Sequence, residues 1–62
     1  METRFNLKSE VYEPDWSFST WSDVFGRWWY EVRGPMRTWQ GFGFWSEWEA
    51  RQKARQAIIL AR

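Results

Sequence analysis

The sequence predicts a small α+β domain in the order strand, helix, strand, helix, with two amphipathic helices packed on a short antiparallel sheet around an aromatic-rich core. Three observations lead there. Apolar residues recur at helical spacing from Trp21 to Val32, two other segments alternate with a period of two, and a capping pair opens a second helical run near the C-terminus. A chain of 62 residues makes one domain, spanning 1–62, and so small a domain hides only about 60% of the surface its unfolded chain exposes.

From Arg4 to Tyr12, Phe5, Leu7 and Val11 share one parity, with Ser9 between them, which predicts a half-buried strand. Glu13-Pro14-Asp15 ends it, and Trp16-Ser17-Phe18 leads into the next element. Trp21, Val24, Phe25, Trp28, Trp29 and Val32 then fall on one helical face. Thr20 with Asp23 resembles a capping box, and Gly34-Pro35 supplies a stop, so a helix is predicted between them. Its other side would carry Asp23, Gly26, Tyr30 and Arg33.

RTWQGFGFW, Arg37 to Trp45, predicts a second strand. Ser46 with Glu49 predicts the start of a helix over Trp48 to Ala61, supported by Glu47 to Arg51 and Glu49 to Lys53 at i,i+4. Ala50, Ala54, Ala57, Ile58 and Ala61 form a small-residue stripe, expected to receive the tryptophans of the first helix. Trp48, Arg51, Gln52, Arg55, Ile59 and Arg62 lie on the far side. Two strands alone make a marginal sheet, which favours pairing with a copy or with a partner's edge.

The composition is more unusual than the pattern. Seven Trp, two Tyr and five Phe stand against three Val, two Leu and two Ile. Each buried aromatic removes roughly 150 to 250 Å² from water, more in total than one small core encloses, so several rings are expected at the surface. Net charge is +1, unevenly placed: residues 1–26 hold five acids and two bases, a balance of −3, and residues 27–62 hold seven bases and three acids, a balance of +4. Such a dipolar chain is expected to dock by its basic half or head to tail with a copy of itself.

Gly41-Phe42-Gly43-Phe44 resembles the centre of the signature of RNA-recognition motifs, which runs basic residue, Gly, aromatic, Gly or Ala, aromatic, aliphatic, any residue, aromatic. The resemblance implies single-stranded RNA stacked on Phe42 and Phe44 beside Arg37. The chain departs from the signature at Gln40, Trp45 and Glu47. That family's fold needs four strands, whereas the present reading supplies two.

With neither Cys nor His, the chain has no disulfide, thiolate zinc site, cysteine nucleophile or imidazole base. Its serines therefore lack an activating base, its candidate carboxylates have capping, turn or ion-pair roles or, for Glu31, a place on the flank of the first helix, and no DxDxDG spacing occurs. No catalysis, cofactor or metal is expected. No apolar run approaches a membrane span, and METRFNLKSE lacks the apolar core of a signal peptide, so a cytoplasmic location is expected.

These readings converge on a non-catalytic module that binds another protein and acts by blocking or bridging it, with contacts expected at Tyr30, Arg33, Trp39, Trp48, Arg51 and Arg55. Cys-free chains of this size are associated with phages and mobile elements, where they inhibit host machines. Self-association through a strand edge or an aromatic face is a further expectation. RNA binding through Arg37, Phe42 and Phe44 is the alternative.

Overall fold

The computed structural model describes residues 3–62; Met1 and Glu2, part of the opening stretch read for a signal peptide, lie outside the described residues. It contains β1 (Phe5–Glu13), β2 (Trp16–Ser22), β3 (Trp28–Arg33), β4 (Thr38–Phe44) and one helix, α1 (Glu47–Ala61). The strands pair antiparallel in chain order, β1-β2-β3-β4. This overturns the strand-helix-strand-helix expectation: a four-stranded meander carries a single C-terminal helix.

The segment read as the first helix is the end of β2, a turn, and β3. Trp, Tyr and Val favour a pleated surface, and their alternation sends Trp28, Tyr30 and Val32 to one side of the sheet and Trp29, Glu31 and Arg33 to the other. Asp23, read as part of a cap, instead organises the turn. Its backbone N–H donates to the Arg27 carbonyl at 2.9 Å and its carbonyl accepts from the Gly26 N–H at 3.1 Å. Gly26 takes φ +79°, a left-handed conformation that glycine adopts without steric cost. The apparent helical stripe arose because this turn returns the chain with aromatic residues due on both faces.

The remaining elements agree with the sequence in type. The helix is capped by Ser46, whose hydroxyl accepts from the Glu49 N–H at 3.1 Å. The Glu49 carboxylate in turn accepts from the Trp45 N–H at 2.9 Å. Ala50, Ala54 and Ile58 are fully buried. They meet the sheet, not a first helix: Phe18 and Val32 form a cluster with Ala54 and Ile58, and Tyr12, Trp16, Tyr30 and Trp39 pack around it.

A sheet of four strands is about 19 Å wide, whereas a helix with its side chains is about 10 to 12 Å across. One helix therefore covers part of one face, and it lies over β2, β3 and β4. β1 is left at the margin, and its side-chain pattern follows. Lys8 and Glu10 face the helix side, where Lys8 pairs with Glu47 at 3.1 Å, Glu10 with Arg55 at 3.1 Å, and Glu13 with Arg62. Two acids of β1 are thus met by bases of α1 and its C-cap, which neutralises part of the charge asymmetry within the molecule. The apolar parity of β1 turns the other way: Leu7 is 53% and Val11 74% exposed, on or beside the face that no described element covers.

Candidate functional site

The uncovered face of the sheet is organised in rows across the strands. The central row is polar: Ser9, Ser19, Glu31 and Gln40 stand opposite one another in successive strands. Ser9 and Ser19 share a hydrogen bond of 2.8 Å, the Arg33 guanidinium donates to Ser19 Oγ at 2.7 Å, and Gln40 Nε2 donates to Glu31 at 3.1 Å.

The row beside it is aromatic. Trp21, Trp29 and Phe42 are cross-strand neighbours. Their planes are nearly parallel, with centroids 6.0 Å apart for the first pair and 4.7 Å for the second. The rings therefore stack on one another across the strands. Trp21 is fully buried, with the Arg4 guanidinium 3.9 Å above its ring. Trp29 Nε1 donates to the Asp23 carboxylate at 2.9 Å, which ties the row to the β2–β3 turn.

Around this row, at one end of the sheet, stands a group of exposed apolar side chains. Leu7 flanks it on β1, Val24 and Phe25 stand on the turn, and Phe42 and Trp45 stand at and after the end of β4. Phe25 is 85% exposed, Trp45 73% and Phe42 67%. Arg27 lies over the Trp45 ring at 3.8 Å and donates to the Gly43 carbonyl at 3.4 Å. Aromatic rings with arginines laid on them are the side chains that most often dominate binding energy at protein interfaces.

Asp23 holds this end together. Its carboxylate accepts from Trp29 Nε1, from the Phe25 N–H at 2.9 Å and from the Arg27 N–H at 3.1 Å. The Trp29 indole is the main cause of a pKa below the ordinary 3.8; the two backbone donors and the Arg27 charge act the same way, and partial desolvation opposes them. A carboxylate whose folded pKa is depressed contributes stability that is complete above its unfolded value and disappears as pH falls through the folded one. Thermal melts across the acid range should therefore show a loss of stability below about pH 4 that is smaller in Asp23→Asn. Equal acid slopes in the two proteins would remove Asp23 from this role.

The residues singled out in the sequence are dispersed by the fold. Tyr30 and Trp39 are half-buried under the helix, Tyr30 stacked on Phe44 at 5.8 Å and Trp39 edge-on to Trp16 at 6.1 Å. Arg33 lies on the opposite, uncovered face, bound to Ser19 and 3.9 Å from Glu31. Trp48 and Arg55 border a groove of about 700 Å³ between α1 and β1, with Glu10, Tyr12, Gln52 and Ile59. Arg51 lies beside it, 3.4 Å from Glu47. Arg37 covers the Trp39 ring at 5.1 Å.

Phe42 and Phe44, expected on one face, are separated by a bulge. Gly43, at φ +96°, is the extra residue of β4 between the pairs Trp28 with Phe44 and Trp29 with Phe42. Phe42 joins the uncovered row while Phe44 turns under the helix. Sequence reasoning missed Trp21, Trp29 and Phe25 as a group because it laid all three on one helical face directed at the core. The consecutive aromatics Trp28-Trp29-Tyr30 were the available signal, since in a strand such a run must supply both faces.

Among the described residues no helix is long and apolar enough to cross a membrane. Among them, too, no group of three His, Cys, Asp or Glu stands close enough to hold a metal ion. Comparison with protein-family models, curated proteins and solved structures gave no significant match.

Proposed function

We propose that the chain is a non-catalytic protein-binding module whose contact surface is the aromatic end of the uncovered sheet face, centred on Phe25, Phe42 and Trp45. The observation that carries this reading is the gathering of these exposed rings, with Leu7 and Val24, at one end of the sheet. Their exposure offers an apolar patch rimmed by Arg4, Arg27 and the polar central row, the anatomy of an interface core with its rim. A module of this kind acts by occupying a partner's surface, so it blocks or bridges, as small phage-type inhibitors of host machines do.

The stacking geometry favours protein over RNA. A base needs a free ring face, and Trp29 spends both of its faces on Trp21 and Phe42. Phosphate binding needs several available cations, and Arg33, Arg51, Arg55 and Arg62 are ion-paired. The outer face of Phe42 alone among the three remains for a base.

The test is affinity capture from a lysate, followed by titration of the captured protein against wild type, Phe25→Ala and Phe42→Ala. Each substitution is expected to weaken binding by about 2 kcal/mol, roughly thirtyfold, as truncation of an interface hot spot does. Phe25 is 85% exposed and among the described residues stacks on no other ring, so its loss should leave the melting temperature unchanged. Unchanged affinity in both variants would move the site elsewhere. A parallel salt titration with labelled single-stranded RNA, if it gave tight and salt-sensitive binding, would reverse the assignment.

A further inference from the structure

The two edges of the sheet are built differently. β1 carries a left-handed residue, Asn6 at φ 55°, and its pairing with β2 is irregular between Phe5 and Lys8 and again between Val11 and Glu13. It also carries Lys8, Glu10 and Glu13. Bulges and charges are the devices that keep an edge strand from pairing with another chain. β4 has one bulge, close to its end at Gly43, and no charged residue from Thr38 to Trp45.

The unused hydrogen-bonding groups of β4 follow from the register. The Gly34 N–H donates to the Arg37 carbonyl, closing the β3–β4 hairpin. In an antiparallel ladder bonded pairs alternate with unbonded ones, so Val32 with Trp39 and Tyr30 with Gly41 are the bonded pairs of this register. Thr38, Gln40 and Phe42 therefore direct their peptide N–H and C=O groups away from the sheet. Thr38, Gln40 and Phe42 are exposed.

We propose that β4 pairs antiparallel with β4 of a second copy of this chain, joining two four-stranded sheets into one of eight strands. A strand without charge meets its own copy with no like-charge cost, and Phe42, exposed on this strand, offers that copy an aromatic partner of its own kind. With the two-fold axis beside Gly41, Gln40 stands opposite Phe42 of the second copy, and the two Phe42 rings lie at the diagonal spacing within reach of aromatic side chains. The outer face of Phe42, where the ring row of one chain ends, then meets the ring row of the other. The bulge at Gly43 limits the paired length to the strand before it. This inference shares Phe42 with the proposed contact surface but not Phe25, which lies on the β2–β3 turn, and Gln40→Lys leaves both rings in place, so the two readings fail separately.

Sedimentation velocity over a concentration series and amide hydrogen exchange test it on the whole chain. Wild type is expected to pass from monomer to dimer, and Gln40→Lys, which keeps a partner for Glu31 while placing a charge on the edge, is expected to raise the dissociation constant at least tenfold. In wild type, protection of the Thr38, Gln40 and Phe42 amides should rise with concentration while the β1 amides stay unchanged, a readout that does not depend on the variant's folding. A monomer at every concentration, a dimer that Gln40→Lys leaves intact, or concentration-dependent protection on β1 in place of β4 would each overturn the proposal.

Discussion

Replacing Phe18 by Ala is expected to unfold much of the protein at room temperature. Phe18 is 2% exposed and lies in the cluster with Val32, Ala54 and Ile58 where the helix meets the sheet. Truncating a buried Phe to Ala costs about 3 to 5 kcal/mol, the lost transfer energy plus the cavity left behind. At roughly 0.05 to 0.15 kcal/mol per residue, a chain this short has a total stability of about 3 to 9 kcal/mol, so the substitution removes most of it. Thermal melts followed by circular dichroism should show a drop of about 15 °C or more, or no cooperative transition. Phe25→Ala, on an exposed turn, is the control. A fall of under about 5 °C for Phe18→Ala would show that the apolar centre lies elsewhere.

A methyl group at Gly41 is the second expected disruption. Alanine ordinarily stabilises a strand relative to glycine by about 0.5 to 1 kcal/mol. Here the added Cβ would coincide with the ring of Tyr30, the cross-strand partner of Gly41. The ring is confined, being stacked on Phe44 and packed against the core, so it cannot swing aside freely. Overpacking of this kind costs about 1 to 3 kcal/mol. The urea midpoint of Gly41→Ala should fall accordingly, and the double variant Gly41→Ala with Tyr30→Leu should lose less than the two single effects added together, because the smaller side chain makes room. Strict additivity would mean that Gly41 and Tyr30 do not share that space. Gly34 repeats the arrangement at the other end of β3, where a Cβ would meet the Trp16 ring.

Both glycines mark what the sequence displayed and what it concealed. Glycine within the aromatic run Arg37 to Trp45 permits a close approach, and the expected strand formed there, but which ring lies against Gly41 depended on Tyr30, a neighbour the sequence had placed in a helix. The C-terminal helix was legible because its signals are local: Ser46 and Glu49 cap it, and Ala50, Ala54 and Ile58 repeat at its own period. The segment from Trp21 to Val32 was not, because a chain so rich in Trp places rings on both faces of a strand, and the sum of two faces imitates a helical stripe. Trp16, Phe18 and Thr20, with serines interleaved, held the period-two signal of β2. The candidate surface shared this fate: its residues come from β1, the β2–β3 turn, β3 and β4, and only the pairing of those strands brings them to one end.

The order of the strands bears on how the chain reaches its structure. Each strand lies beside the one that precedes it in sequence, joined by a short reversal, so no distant segments must find each other before pairing begins. Loop-closure entropy is small for such neighbours, and folding rates rise as contacts become more local. A polypeptide connected in this way can zip hairpin by hairpin, with the terminal helix docking last onto a surface already laid down.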